Sequence, residues 1–118
     1  MIPKFRAWDK VNKKMIEDVA SIHFKSEMIT TRNLCFYPFK DIELLQSTGL
    51  FDKNGKEIFE GDILKVEYGD LLGETRETLI IAKNPFEYSM EEAKFLDFSY
   101  IVEIIGNKFE HPHLLGED

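Results

Sequence analysis

The chain has 118 residues, of which 43% are hydrophobic and 31% are charged. This length and composition predict one soluble globular domain and exclude a mainly disordered chain. The formal net charge is −7, so the molecule as a whole repels polyanions such as nucleic acid. No apolar run approaches the roughly 20 residues that cross a bilayer, and the first residues lack the apolar core of a signal peptide. We therefore expect a cytoplasmic protein that makes no membrane contact.

Charge is unevenly distributed along the chain. Residues 1–40 carry eight Lys and Arg against four Asp and Glu, a net of +4, while residues 41–118 carry seven against 18, a net of −11. The change of sign leaves room for a basic surface near the N-terminus. It also suggests a break between an N-terminal hairpin layer, residues 1–41, and a barrel part, residues 42–118. Since about 40 residues bury too little surface to fold alone, we expect a single domain over residues 1–118.

Strand patterns dominate the first 40 residues. Residues 2–8 form the first predicted strand, and residues 9–14 form a turn because Asp and Asn side chains bond their own backbone. A second strand starts at Met15, residues 20–24 alternate between apolar and small or polar side chains, and residues 28–31 form a β-branched return strand. The segment therefore predicts antiparallel strands joined by tight turns.

The middle of the chain carries the clearest hairpin signal. Residues 42–50 predict a strand with Ile42, Leu44 and Leu50 on one face. Asn54-Gly55 follows, and this dipeptide between apolar runs predicts a two-residue type I′ turn in which both residues have positive φ. The return strand, residues 56–59, leads through a second tight turn at residues 60–62 into a strand over residues 63–68.

One helix interrupts the strands of the last third. Residues 75–81 and 100–105 predict strands, whereas Ser89 and Glu92 have the three-residue spacing of a helix capping box. A short helix over residues 89–96 is therefore predicted, with an irregular loop as the alternative. The segment His111-Pro112-His113 predicts a terminal turn.

The predicted fold class is mainly β, with about seven to nine short antiparallel strands. Turns that recur about every 8–12 residues favour a small antiparallel barrel, SH3-like or related, with an N-terminal β-hairpin layer and at most one short helix. Closing a sheet into a barrel removes exposed strand edges. The predicted core consists of apolar residues from most of these strands: Phe5, Ile22, Phe24, Leu44, Leu50, Ile58, Ile63, Val66, Ile80, Val102 and Ile104.

Three separated motifs together span nearly the whole chain. They are Phe5–Asp9 with Lys13–Met15, Gln46–Leu50 continuing through Asp52–Ile58 to Glu60–Ile63, and Val102–Asn107 followed by Glu110–Pro112 and Leu114-Leu115. In this order they resemble the YopX family of phage and prophage proteins, and the stretches 16–41 and 69–98 match least. The resemblance implies a small, mostly β protein. It implies no activity and transfers no catalytic or binding residue, because the family is functionally uncharacterised.

A basic and aromatic cluster near the N-terminus is the main candidate site. Its members are Lys4, Arg6, Trp8, Lys10, Lys13 and Lys14. At the two-residue period of a strand, Lys4, Arg6 and Trp8 share a face, which suits phosphate contacts and base stacking. The alternative is a solvated strand and turn whose cations balance the acidic remainder of the chain, and neutralisation alone accounts for the asymmetry.

The other chemically active residues do not combine into a site. Zinc needs three or four protein ligands, and the chain groups only two histidines with nearby carboxylates: His111, His113, Glu110 and Asp118. His23 is distant, and Cys35 is expected to be a small buried core residue rather than a nucleophile. Two acidic pairs are expected to be solvated: Asp97 with Glu103, and Glu91 with Glu92. We therefore expect no catalytic residue, no metal site and no cofactor.

The expected function is non-enzymatic binding of a protein partner, such as a basic host protein, by the acidic part of the chain. The alternative is nucleic-acid binding through the N-terminal basic and aromatic residues. An enzyme is the least favoured class, because it requires a cleft that gathers Cys35 or the histidines with carboxylates. The 10 Phe, 4 Tyr and 1 Trp exceed what a small barrel core hides, so we also expect a homo-oligomer.

Overall fold

The computed structural model describes residues 4–116. Within this part of the chain no helix has the length and apolarity needed to cross a membrane. The α-helix, α1, is Met90–Asp97, and three 3₁₀ helices are Phe39–Asp41, Pro85–Glu87 and Pro112–Leu115. The ten strands of residues 4–116 are β1 (Phe5–Asp9), β2 (Lys14–Ile16), β3 (Val19–His23), β4 (Met28–Thr31), β5 (Phe36–Pro38), β6 (Ile42–Phe51), β7 (Glu57–Phe59), β8 (Asp62–Gly69), β9 (Thr75–Ile81) and β10 (Ser99–Asn107).

The fold is mainly β, which confirms the predicted class. The strands form three sheets, in the orders β2-β1-β6-β7, β10-β8-β9 and β3-β4-β5. A curled antiparallel sheet forms a half-barrel, and the other sheets are small. β5 was not predicted, because three residues that end in a proline carry no alternation to detect. It pairs with β4, where Ile29 lies opposite Tyr37. With β5 the described residues contain ten strands, one more than the upper number predicted.

The chain divides into two compact units, which we call the N-terminal unit, Met1–Ser47, and the C-terminal unit, Thr48–Asp118. In the N-terminal unit β1 pairs with both β2 and the first half of β6, so that Ala7 lies opposite Ile16 and Leu44. β-Branched side chains suit such a pleated, buried surface. The buried residues of this core are Ala7, Ile16, Ile29 and Ile42.

β8 is the central strand of the three-stranded sheet in the C-terminal unit. β9 pairs with it along one edge and β10 along the other. The buried core residues are Ile58, Leu64, Val66, Ile80 and Ala82. α1 contributes Phe95 and Leu96 to this core, and the Phe95 ring lies 4.7 Å from that of Tyr68, centroid to centroid.

α1 begins at the predicted capping box, which confirms the helix and excludes the irregular loop. The Ser89 Oγ accepts a hydrogen bond from the Glu92 N–H at 3.1 Å. In return, the Glu92 Oε1 accepts one from the Ser89 N–H at 3.0 Å. Each bond satisfies an N–H group near the start of the helix, where no backbone partner exists.

The β6–β7 turn is organised by Asp52. Its Oδ1 accepts from the N–H groups of Asn54 and Lys56, both at 2.9 Å. The Gly55 N–H donates to the Asp52 carbonyl oxygen at 3.0 Å. The predicted type I′ turn is wrong, because Gly55 has a φ of 78° while Asn54 stays outside the positive-φ region. The Asp52 carboxylate instead supports a three-residue loop that ends in a left-handed glycine.

The β8–β9 turn repeats this arrangement. The Asp70 Oδ1 accepts from the N–H groups of Leu72 and Glu74, both at 2.9 Å. Gly73 takes the left-handed position with a φ of 80°. Two aspartate–glycine turns of the same design therefore close two hairpins of the C-terminal unit.

Most predicted core residues are buried or half-buried, and two are not. Phe24 and Leu50 are 74% and 63% exposed, so their prediction as core residues is wrong. Phe24 lies in the turn after β3 rather than in the strand. In β6, Gly49 has a φ of 78°, and this left-handed residue interrupts the alternation before Leu50. The buried ones are Ile58, Ile63, Val66 and Ile80, and the half-buried ones are Phe5, Ile22, Leu44, Val102 and Ile104.

The prediction that Cys35 is a buried core residue is also wrong, since the cysteine is exposed. It lies between β4 and β5, directly after Leu34, whose φ is 62°. Its N–H donates to the Thr31 Oγ1 at 3.2 Å. The connection is therefore held by its backbone, and the thiol faces solvent.

Candidate binding site

The predicted basic residues lie in and beside β1. Trp8 is half-buried and Arg6 is only 6% exposed, so the guanidinium contributes little to an outer face. Three lysines lie in what we call the lysine turn, residues 10–14, which runs from the end of β1 to the first residue of β2. The exposed members of the predicted cluster are Lys4, Lys10, Lys13 and Lys14.

Asp9, only 1% exposed, holds the lysine turn in place. Its Oδ1 accepts from the N–H groups of Val11 and Asn12 at 3.0 and 3.1 Å, and its Oδ2 accepts from the Asn12 Nδ2 at 2.9 Å. The Asn12 backbone hydrogen bond is the main cause that keeps the pKa of Asp9 below its ordinary value despite burial. The aspartate is therefore charged at neutral pH and offsets part of the positive charge of the turn.

The His111 side chain takes part in the hydrogen bonds of the C-terminal turn, and the His113 ring lies near it. The His111 Nδ1 accepts from the Asn107 N–H at 3.2 Å, and the Glu110 Oε1 accepts from the Asn107 Nδ2 at 3.1 Å. The two imidazole rings are 6.1 Å apart. In residues 4–116 no three His, Cys, Asp or Glu side chains are placed to hold a metal ion. Asp118 lies outside the described residues.

The acidic residues that were paired in the sequence analysis lie in different environments. Glu103 on β10 lies 3.6 Å from the Lys53 Nζ and 3.7 Å from the Lys65 Nζ, each distance joining an ammonium nitrogen to a carboxylate oxygen. Glu91 and Asp97 are exposed on α1. Ion pairing and solvation therefore account for these carboxylates.

An apolar pocket of about 210 Å³ opens in the C-terminal unit. A dry cavity of about 150 Å³ with comparable apolar walls holds a benzene ring, so this pocket has room for one aromatic or branched aliphatic group. Leu50 and Phe51 are 63% and 61% exposed and therefore lie where the pocket meets solvent. The lining residues are Thr48, Leu50, Phe51, Ile58, Leu64, Lys83, Tyr88, Leu96 and Val102.

A tyrosine and an ion pair form the polar edge of the pocket. The Lys83 Nζ donates to both carboxylate oxygens of Glu92, at 3.0 and 3.1 Å. The Lys83 N–H donates to the Tyr88 Oη at 2.9 Å, and the Lys83 Nζ lies 6.0 Å from the centre of the tyrosine ring. Because Glu92 neutralises the ammonium group, this edge carries little net charge.

The pKa values of Tyr88 and Glu92 at this edge are shifted in opposite directions. Burial raises the pKa of Tyr88, and the nearby Glu92 charge adds to the rise, so the phenol keeps its proton. The Ser89 N–H, together with Lys83, holds the pKa of Glu92 below its ordinary value. Since the Tyr88 oxygen accepts from the Lys83 backbone, its O–H proton remains available to a bound group.

Two exposed carboxylates lie next in sequence to residues of the polar edge. Glu87 precedes Tyr88, and Glu91 lies in the first turn of α1. Both are exposed, and neither forms an ion pair with the residues that the structure describes. These two exposed carboxylates, each next in sequence to a residue of the polar edge, are called the acidic surroundings of the pocket below.

Sequence reasoning missed Lys83, Tyr88 and the pocket itself. The available signal was the capping box, because it places Tyr88 directly before the N-cap Ser89 and Glu92 in the first turn of α1. Nothing in the local pattern shows that residues from β6, β7, β8 and β10 converge on the same point. This convergence follows from strand pairing and becomes visible only in three dimensions.

The comparisons with known proteins give one family match and a structural match. The family model described as YopX protein matches residues 4–116. The crystal structure of protein EF1440 from Enterococcus faecalis is similar, with 30% sequence identity and a TM-score of 0.64 over 98% of this chain and 99% of that chain. No curated protein matches the sequence. Because the family match covers nearly the whole length, the chain belongs to the YopX family.

Proposed function

We propose that this chain is a non-enzymatic accessory protein of a phage or prophage that binds a protein partner in the cytoplasm of the bacterial host. The family membership supports this setting through the resemblance of its motifs to phage and prophage proteins. The observation that carries the binding role is the apolar pocket of the C-terminal unit, with Leu50 and Phe51 exposed at its mouth. Contiguous exposed apolar surface is typical of protein interaction sites.

Exposed aromatic side chains give this proposal further support. Six of the aromatic residues in the described part of the chain are more than 60% exposed. Aromatic residues are enriched at protein interfaces, where they bury large areas. The same surplus supports self-association, so we propose a homo-oligomer as well. The six are Phe24, Phe36, Phe51, Phe86, Phe98 and Tyr100.

The charge of the C-terminal unit favours a basic partner. Residues 48–118 carry seven Lys and Arg against 16 Asp and Glu, a net of −9. Such a field attracts positively charged surfaces and raises the rate of encounter with them. It repels nucleic acid and acidic proteins by the same mechanism.

A capture experiment tests the proposed function. Immobilised wild-type protein should retain one host protein saturably from a lysate. Phe51→Ser should weaken this capture at least about tenfold, because it removes an apolar residue at the mouth of the pocket. Leu71→Ser is the control, since Leu71 is fully exposed and does not line the pocket. Absence of a saturable partner, or equal loss in both variants, contradicts the proposal.

Nucleic-acid binding remains the alternative, and the lysine turn is the observation that favours it. Lys10, Lys13 and Lys14 are exposed within one hairpin. Binding through them should weaken steeply with salt, and the double variant Lys13→Glu, Lys14→Glu should reduce the salt dependence. Absence of a gel shift at about 50 mM salt, where phosphate contacts are strong, eliminates this function.

A further inference from the structure

We propose that the pocket of the C-terminal unit receives one large apolar side chain from a partner segment that carries Lys or Arg on both sides of it. This inference rests on the proposed function and adds the chemistry of the bound segment. Its three parts are the apolar interior, the neutral polar edge and the acidic surroundings, and each of them selects one feature of the segment.

The interior selects the anchor side chain. Leu64 and Ile58 are 2% and 4% exposed and line the pocket with Leu96 and Val102. A volume of about 210 Å³ suits one ring or one branched aliphatic group. A charged side chain would lose its hydration there without gaining a free counter-ion, because Glu92 already pairs with Lys83.

The polar edge selects the backbone of the segment. The Tyr88 hydroxyl accepts from the Lys83 N–H and keeps a proton to donate. A peptide carbonyl next to the anchor residue is the acceptor that any segment supplies, whatever its sequence. The hydroxyl therefore orients the chain while the anchor side chain provides the specificity.

The acidic surroundings select the flanking residues. Glu87 and Glu91 are exposed, stand next in sequence to Tyr88 and Glu92 of the polar edge, and form no ion pair within the described part of the chain. Lys or Arg side chains next to the anchor would pair with them, and the net charge of −9 over residues 48–118 favours their approach. An acidic segment would meet repulsion at the same two positions.

The test is a titration of the ¹⁵N-labelled full chain with three capped peptides. Lys-Lys-Phe-Lys-Lys should produce saturable amide shifts at Leu64, Leu96 and Val102. Lys-Lys-Ala-Lys-Lys lacks the anchor, and Asp-Asp-Phe-Asp-Asp has the opposite flanking charge. Both should bind at least about tenfold more weakly. Equal binding of the alanine peptide overturns the anchor, and equal binding of the acidic peptide overturns the charge selection.

Two surface variants separate charge from folding. Glu87→Gln with Glu91→Gln should weaken the first peptide about three- to tenfold at low salt, because each exposed ion pair contributes modestly. Glu74→Gln with Glu77→Gln makes the same change in charge at exposed residues of the β8–β9 hairpin, away in sequence from Tyr88 and α1, and should leave binding within about twofold. Equal weakening by both pairs overturns a specific role of the two glutamates.

The remaining outcomes distinguish this inference from the proposed function. If no peptide binds while lysate capture stays sensitive to Phe51→Ser, the partner-binding function is retained and the basic-segment chemistry is overturned. If no peptide binds and light scattering shows an oligomer that Phe51→Ser dissociates, a second copy occupies the pocket. That result overturns the inference as well.

Discussion

The carboxylate of Asp52 accepts a hydrogen bond from the backbone N–H of Ile104, 52 residues further along the chain, at 3.1 Å. The same carboxylate holds the β6–β7 turn through its other oxygen. Next to it, the Lys53 N–H donates to the carbonyl oxygen of Val102 at 2.9 Å. One buried aspartate thus joins a hairpin turn to the outer edge of β10 and satisfies backbone groups that would otherwise be exposed there.

Replacing this aspartate should destabilise the C-terminal unit strongly. Asp52→Ala leaves the N–H groups of Asn54, Lys56 and Ile104 without their acceptor, and we expect a loss of about 2–4 kcal/mol in the free energy of unfolding. Urea denaturation measures it. Asp70→Ala is the control, because that turn of the same design is more exposed and bonds no distant strand. A loss no greater than the control's would contradict the role of Asp52 at β10.

Acid should destabilise the protein through the same groups. Burial alone would raise the pKa of Asp52, but hydrogen bonds from Ile104, Lys56 and Asn54 together lower it. A folded-state pKa below the unfolded value of about 3.9 gives stability that is complete above that value and is lost as the pH falls through the folded-state pKa. Melting temperature followed by circular dichroism should therefore fall below about pH 4. Asp52→Asn should flatten this acid limb, and an unchanged slope would argue against the shift.

Two glycine substitutions should differ in cost because their surroundings differ. Gly55→Ala places a side chain at a φ of 78° with nothing within 4 Å, so only backbone strain of about 1–2 kcal/mol applies. Gly61→Ala combines a φ of 90° with a Cβ only 2.9 Å from the Phe109 Cε2. We expect its loss in unfolding free energy to exceed that of Gly55→Ala, measured by the same urea titration. A reversed order would contradict the close approach of Phe109.

Self-association should be measurable by light scattering at high protein concentration. We expect a mass above 13.8 kDa, the mass of one chain. Phe86→Ser with Phe98→Ser should lower it, since the two phenylalanines are 97% and 71% exposed and removing them costs little folding stability. Leu79→Ser, at a 41% exposed site on β9, serves as a comparison. A monomeric mass for the wild type contradicts the proposed oligomer.

A structural feature was predictable from the sequence where all the residues that produce it lie in one short segment. The capping box of α1 is an example, because Ser89 and Glu92 form it within a single turn. The Asn54-Gly55 hairpin was located correctly, but its loop type was not, since the Asp52 side chain selects a longer loop. The Asn-Gly dipeptide predicted where the turn lies, but it did not reveal the side-chain hydrogen bonds that decide the loop type.

Burial of single residues was harder to predict, because it depends on what packs against a strand from elsewhere. The two-residue period of a strand placed Arg6 with Trp8 on the predicted binding face, yet Arg6 is buried, with only 6% of its surface exposed. The same period placed Leu50 on an apolar face, but the left-handed Gly49 breaks the alternation. The pocket joins residues separated by up to 54 positions, from Thr48 to Val102, so no local period contains it.

The hydrogen bond of the Gly55 amide also affects the deamidation of Asn54. In an Asn-Gly pair, deamidation begins when the glycine amide nitrogen attacks the asparagine side chain and closes a five-membered imide. Here the Gly55 N–H is held by the Asp52 carbonyl oxygen at 3.0 Å, which directs the nitrogen away from that attack. Slow conversion of Asn54 to an acidic residue should therefore follow unfolding of this hairpin rather than precede it.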